Sequence, residues 1–410
     1  MTTTSLTPLP HTVRRRGLMV LLATTFLMWA GFFMIVPILS VHFVDGLGWA
    51  AASIGLVLAL RQFVQQTLTV VSGALADRFG AKQLILLGLI VRTIGFAGMA
   101  QVDALSALIL TGVLAGIGGA LFDSPTGAAM AALTTEGERL QFYSVRGVVS
   151  SLGMTLGPLI GSALLKVDFA LVAYLSAGLY VVTLIVTWRW LPDVKVGRTD
   201  QSLIAGVRTV GRDRPFVVLV ALLMGYWFLW VQLTLSVPLK ATALSGDEGS
   251  VGVVYAVNTI LTVALQVPLI RFLEKRLRPM PALVCGLGIM SLAMSSIAVT
   301  QTFLALLLCI AAFSVGNLIA AANQSTVIAG MAQPEARGSY FGVSAVALAI
   351  GGGLGNLLGS ALYGASTTNG LPAVPWLIIG GVGAISTLGL WLLNRRQVVK
   401  PVAMEEMVLE

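Results

Sequence analysis

The sequence predicts an all-α integral membrane protein: twelve transmembrane helices arranged as two parallel six-helix repeats. Three observations lead there. First, the 410 residues are 57% hydrophobic and 10% charged, with a mean hydropathy of +0.93, whereas soluble globular chains carry about 25% charged residues. Such a chain cannot cover itself with a polar surface, which excludes a soluble enzyme or a soluble nucleic-acid binder. Second, apolar segments of about the 20 residues needed to cross a bilayer fall at 17–41, 50–76, 83–101, 104–130, 141–165, 169–191, 216–239, 250–271, 280–300, 303–330, 339–364 and 374–393. Third, similar segments recur at a fixed offset.

The basic residues orient the spans. The net charge is +8, and of the 25 Lys and Arg residues 20 fall in the tails and alternate connections, including the runs Arg14–Arg16, Arg208–Arg214 and Arg271–Arg278, while only Lys166 and Lys240 fall in the others. By the positive-inside rule both termini are expected in the cytoplasm, with the chain in the cytoplasmic (inner) membrane as a multi-pass protein. The apolar run after Arg16 has no small-residue cleavage site at the expected distance, so it reads as an uncleaved first span. The longest polar connection divides the chain. The expected organisation is an N-terminal six-helix bundle at 1–191, a cytoplasmic linker at 192–215 with room for a short surface helix, and a C-terminal bundle at 216–410 ending in a short cytoplasmic tail.

Residues 141–165 and 339–363 agree at ten of 25 positions at an offset of 198, among them Gly153/Gly351, Gly157/Gly355, Gly161/Gly359 and Ser162/Ser360. The same offset pairs Gly88 with Gly286, Gly118 with Gly316 and Arg139 with Arg337. A register held over several helices points to duplication. Because six is even, the halves share one orientation and form parallel repeats about an axis along the membrane normal, with an interface between them near the midplane.

Little in the spans suits catalysis. There is no phosphate-cradling G-x-x-x-x-G-K-[ST] sequence, and the run Gly351-Gly352-Gly353-Leu354-Gly355 reads as close helix packing. Cys285, Cys309, His11 and His42 are too few and too scattered for a metal or a disulfide scaffold. Ionisable groups at membrane depth are the sharper signal, since a charge at a helix centre costs about 2.5–3.5 kcal/mol on insertion scales. Asp123 is the acidic residue well inside a span, about 20 Å of helix from Glu136 at 1.5 Å per residue. Arg61 and Arg92 lie at comparable depth, and Arg146 lies nearer the cytoplasm. A carboxylate exposed alternately to two aqueous sides can load and release a proton, so Asp123 with Arg61 is read as a proton-coupling pair; a static ion pair ordering the bundle is the other reading. Arg61, Gln62, Gln65, Gln66 and Thr69 form a polar stripe that must face protein or water. Tyr226, Trp227 and Trp230, with Asn258, Asn317 and Asn323, supply an aromatic, sparsely polar lining suited to amphiphilic molecules. From these, Gln62, Gln65, Tyr226, Trp230, Asn258 and Asn323 are the candidate substrate-binding residues. No catalytic or metal-ligating residue is assigned.

The stretch Gly73-Ala74-Leu75-Ala76-Asp77-Arg78-Phe79-Gly80-Ala81-Lys82 resembles the G-x-L-a-D-R-x-G-R-K signature of the major facilitator superfamily, departing at Ala81. The resemblance implies a conformational latch at Gly73, Asp77, Arg78 and Gly80. In the fifth span Gly153-Met154-Thr155-Leu156-Gly157-Pro158-Leu159-Ile160-Gly161-Ser162 resembles the G-x-x-x-G-P-x-x-G-G motif of the family's antiporters, with Ser162 in the last place. This implies an antiporter role for Gly153, Gly157, Pro158 and Gly161. Gly31 and Pro37 match a weaker motif of the first span. The whole chain is similar to the drug:proton antiporter family, and stretches such as LRQFVQQ, LFDSP and RGSYFG resemble its multidrug proteins. Those proteins usually carry an arginine in the fourth span, where this chain has no basic residue between Arg92 and Arg139. Asp123 helped by Arg61 is assigned in its place.

The expected function is secondary active export of amphiphilic drugs or toxic small molecules in exchange for protons, by alternating access. The alternative is the same fold importing a nutrient or exporting a native metabolite. The partners expected are an amphiphilic small molecule, protons and the lipid bilayer. Neither nucleic acid nor any cofactor beyond a proton gradient is expected, and the chain is expected to be monomeric.

Overall fold

The computed structural model describes residues 10–193, 210–274, 276–332 and 337–395. Among the described residues there is no strand, and twelve long helical segments follow one another. They are α1 (His11–Gly46), α2 (Ala51–Phe79), α3 (Ala81–Gln101), α4 (Leu105–Leu133), α5 (Glu136–Leu165), α6 (Phe169–Trp190), α7 (Arg214–Ser245), α8 (Ser250–Glu274), α9 (Pro279–Val299), α10 (Phe303–Met331), α11 (337–368) and α12 (Val374–Arg395). Counted over the described residues alone, ten of these are long and apolar enough to cross a membrane. Most of the expected linker at 192–215, and the tail beyond 395, lie outside the described residues.

α3 and α9 close on 3-10 turns at Met99–Gln101 and Ile297–Val299, and three other helices depart further from α geometry. The last turn of α1, Val41–Gly46, widens into a π-helix, as does Leu348–Gly352 within α11. In α7 the helix Arg214–Trp230 tightens into a 3-10 turn at Val231–Thr234 and restarts at Ser236. Pro238 falls in the first turn of the restarted helix, where its missing N–H deprives no partner. These irregularities carry α1 and α7 past their expected ends at residues 41 and 239, so Asp45 and Lys240 belong to helix ends rather than loops.

Helix starts follow side-chain caps. The carboxylate of Asp168 accepts from the Ala170 N–H at 3.0 Å, that of Asp213 from the Phe216 N–H at 3.3 Å, and the Thr302 hydroxyl accepts from the Ala305 N–H at 3.2 Å. One junction depends on glycine. α2 and α3 are joined by Gly80 alone, whose φ is +92° and ψ 140°. Side chains rarely adopt that region, at a cost of about 1–3 kcal/mol. Gly80→Ala is therefore expected to lower thermal stability in detergent by that amount, read as a shift in the melting curve.

The chain divides into two compact units, one formed by residues 1–35 and 67–199 and the other by 36–66 and 200–410, as far as these are described. In the first, α3 packs on α4 and α6; in the second, α9 packs on α10 and α12. The repeat extends to single contacts. A methyl added at Gly88 would come 2.8 Å from the Gly118 carbonyl oxygen, and one at Gly286 would come 2.7 Å from that of Gly316. A methyl at Gly157 would come 2.6 Å from the Ala30 carbonyl oxygen, and one at Gly355 2.8 Å from that of Phe228. Gly153 likewise faces the Phe26 carbonyl and Gly351 that of Met224. Each contacted residue in the second half stands 198 positions after its counterpart in the first. Backbones that approach this closely gain dispersion contact that lipid cannot match, which is how small residues hold membrane helices together.

The starts of the first and fifth helices of each unit are also tied. In the first, Arg14 pairs with Glu138 at 2.9 Å. The Thr135 hydroxyl and then Arg14 hold the exposed Glu138 carboxyl below the usual carboxylate range. In the second, the Tyr340 hydroxyl donates to Asp213 at 2.7 Å. Opposite faces of the helices present large apolar side chains such as Leu110, Ile185, Ile260, Leu308 and Ile385. Exposed apolar surface on this scale suits lipid rather than water.

Candidate functional site

The chemistry-bearing residues fall into groups within each unit. In the first, Asp123 stands exposed on α4, about 15 Å of helix from Leu133 and about 27 Å from Leu105. It neighbours the contact made by the glycine-rich end of α2. A methyl at Gly73 would come 2.9 Å from the Ser124 hydroxyl, and the Ser72 hydroxyl donates to the Ala120 carbonyl at 2.7 Å. The first glycine of the stretch 73–82 thus seats α2 on α4 beside the acid. Arg78 is exposed, with its guanidinium 5.4 Å from the Phe79 ring, and Gly80 forms the junction described above. The side chain of Asp77 lies outside the described ones.

Gly153, Gly157, Pro158 and Gly161 lie on one buried face of α5, with Ser162 beside them, while Leu152, Leu156, Leu159 and Ile160 are exposed on another. Spacings of four and eight residues place the small residues one above another along the helix. That stack is the α1 contact already described.

The second unit contains Arg61 and all six candidate substrate-binding residues. Arg61 and Gln62 are buried. The Arg61 guanidinium donates from Nη1 to the Gln65 side-chain oxygen at 2.7 Å and from Nη2 to that of Gln62 at 3.0 Å. The stripe on α2 is thus a connected cluster, a charge held by two neutral amides. Gln62 in turn lies 3.9 Å from where a methyl at Gly352 would sit, within the π-helical turn of α11.

Several other polar groups of the unit are paired. The Tyr226 hydroxyl donates to Asn317 at 2.8 Å, joining α7 to α10. The Ser314 hydroxyl donates to Asn258 at 2.8 Å, joining α10 to α8. Gln232 donates from Nε2 to the carbonyls of Phe228 at 2.9 Å and Gly355 at 3.0 Å, joining α7 to α11. Asn323 donates to the Ile319 carbonyl of its own helix at 2.8 Å, and Trp230 stands edge-on to Trp227 with ring centroids 5.7 Å apart. Trp230, Gln65 and Asn323 are only partly buried, whereas Tyr226 and Asn258 are buried in helix–helix bonds. Such bonds contribute on average about 0.6 kcal/mol and at most about 1.7 kcal/mol between membrane helices. Tyr226→Phe is expected to lower the melting temperature by no more than that range allows, with the α7–α10 contact retained.

A cavity of about 880 Å³ lies in the same unit, lined among others by Asp45, Trp49, Asp247, Glu248 and Tyr363. Asp45 accepts there from the Thr242 hydroxyl at 2.7 Å. Local sequence does not announce this cavity, because its walls come from α1–α2, α7–α8 and α11. Sequence patterning also misses the surroundings of Arg92. Its guanidinium carbon lies 5.4 Å from the Phe32 ring, 5.6 Å from that of Phe96 and 5.1 Å from that of Tyr180. Only the fold brings those rings together from α1, α3 and α6. Among the described residues no cluster of metal-ligating side chains occurs.

Comparison with known proteins places this architecture. The model of the Major Facilitator Superfamily matches residues 21–242 and again 230–406, close to one match per repeat. The chain is 40% identical over 388 residues to the multidrug resistance protein MdtH of Yersinia pestis (strain Pestoides F), covering 94% of this chain and 96% of that protein. It is equally similar to MdtH of Yersinia pseudotuberculosis serotype O:1b (strain IP 31758), with 40% identity over the same shares of the two chains. Among solved structures, a POT family transporter in complex with 5-aminolevulinic acid superposes with a TM-score of 0.82 at 14% identity, covering 94% of this chain and 97% of that one. The nucleoside transporter NupG superposes with a TM-score of 0.78 at 16% identity, covering 92% and 99%. At such identities the superpositions speak for the fold.

Proposed function

The chain belongs to the Major Facilitator Superfamily, and from that premise we propose that it is a multidrug transporter of the inner membrane, with both termini cytoplasmic, that exports amphiphilic compounds in exchange for protons by alternating access. The relatives named for multidrug resistance match it over nearly its full length, which supports the substrate class. The proton reading rests on one observation above all: Asp123 is an exposed carboxylate far inside a membrane helix. A carboxylate kept there at a cost of about 2.5–3.5 kcal/mol needs a reason. Access to water from alternating sides provides one, since its proton affinity then changes as its surroundings change. Its position beside the α2–α4 contact would let loading of the proton alter the seat of the latch stretch.

Transport in proteoliposomes under an imposed pH gradient tests this. The unmodified protein should accumulate an amphiphilic substrate against its gradient, and Asp123→Asn should abolish the gradient-driven part, a loss of tenfold or more, while downhill exchange persists. Gradient-driven accumulation at the original rate in the variant would sink the proton assignment. Failure of the unmodified protein to move any cationic, zwitterionic or neutral amphiphile would favour a native metabolite as substrate.

A further inference from the structure

Arg92 is a buried charge for which no described residue supplies an acceptor. It stands eleven residues into α3, about 16 Å along the helix, and is 5% exposed. α3 cannot move away from α4 at this point without opening the bundle, since a methyl at Gly118 would come 2.6 Å from the Arg92 nitrogen and 2.7 Å from its Cβ. Three rings surround the guanidinium at the distances given above. Its Nε has no hydrogen-bond partner, and no ion pair or hydrogen bond joins Arg92 to any described residue.

Aromatic faces stabilise the cation through its charge, yet they accept no conventional hydrogen bond. The guanidinium keeps a planar fork of five N–H donors. Ionisable groups at membrane depth ordinarily pair with one another or line a substrate path. The partner that fits this fork is planar and anionic with two oxygens, a carboxylate accepting two parallel bonds. The walls around it are rings, so the rest of the molecule must be apolar.

We propose that Arg92 is an anion-binding site at membrane depth that takes the carboxylate of an amphiphilic molecule. This deepens the export reading by naming a substrate class, and rests on that reading only for its physiological meaning. The aromatic residues Phe32, Phe96 and Tyr180 hold the guanidinium in place, and the ligand completes it.

Equilibrium binding of octanoate and of uncharged octanamide to the purified full-length protein tests the proposal, followed by intrinsic tryptophan fluorescence. The unmodified protein should prefer octanoate by at least tenfold. Arg92→Met should erase the preference. Arg92→Lys, which keeps a point charge without the fork, should reduce it at least threefold, and it decides the matter should the methionine variant fail to fold. A preference unchanged in either variant, or equal loss of both probes, would overturn the site and leave Arg92 a structural clasp, visible as a lowered melting temperature alone. Phosphatidylglycerol added to the micelles should not displace octanoate; displacement would reassign the site to lipid phosphate and overturn the proposal. No gradient is involved, so an intact preference without export sinks only the export reading, and export without the preference sinks only this site.

Discussion

Leucine in place of Gly157 should prevent the first unit from assembling. A methyl at that position already meets the Ala30 carbonyl oxygen at 2.6 Å, the Met34 nitrogen at 2.9 Å and the Phe33 carbonyl carbon at 3.0 Å. All three are backbone atoms, so no rotamer change can make room. Overpacking commonly costs about 1–3 kcal/mol where side chains can shift. Here α1 and α5 would have to separate along their length, and the expected result is loss of the monodisperse peak on size-exclusion chromatography. Gly355→Leu should do the same to the second unit through the Phe228 carbonyl oxygen at 2.8 Å. By contrast Gly178→Ala, where nothing lies within 4 Å, should leave the profile unchanged. Equal tolerance at the three positions would mean that the glycines of α5 and α11 do not set the helix separation.

Replacing Arg61 by methionine should separate stability from function. Arg61 is 6% exposed, and its guanidinium donates to the neutral amides of Gln62 and Gln65. Burying a charge costs several kcal/mol, of the order that a replacement of similar volume recovers. The amides left behind can turn toward each other or toward backbone. The melting temperature of Arg61→Met should therefore stay within about 1 kcal/mol of the original or rise. Gradient-driven export should nonetheless fall at least tenfold, because the polar stripe of α2 loses the charge of its guanidinium. Arg61→Lys should restore little of it, since one ammonium cannot reproduce the fork that reaches both amides. Full export by Arg61→Met in proteoliposomes would show that the buried charge serves packing alone.

The fold was legible in the sequence because membranes restrict what a chain can do. Backbone polar groups must be satisfied within each segment, so apolar length translates directly into helices. The 198-residue register was legible for a related reason: glycine is irreplaceable where two backbones touch, and touching backbones at Gly88, Gly118, Gly153 and Gly157 recur at Gly286, Gly316, Gly351 and Gly355. What escaped the sequence depends on contacts between distant helices. Hydropathy cannot show that Tyr226 is committed to Asn317 and Asn258 to Ser314, while Gln65 and Trp230 keep part of their surface open. Nor can it show the three rings around Arg92, which arrive from positions 32, 96 and 180. Irregular turns are hidden too, because the same residues suit a π-turn or an α-turn, and with them the true ends of α1 and α7.

Gly80 is the whole connection between α2 and α3, a joint with no slack. A longer loop would absorb a tilt of either helix; a single residue must hand it on. Any rotation of the Phe79 end of α2 is thereby geared to α3, and through the interlocked glycines of α3 and α4 to the helix that carries Asp123.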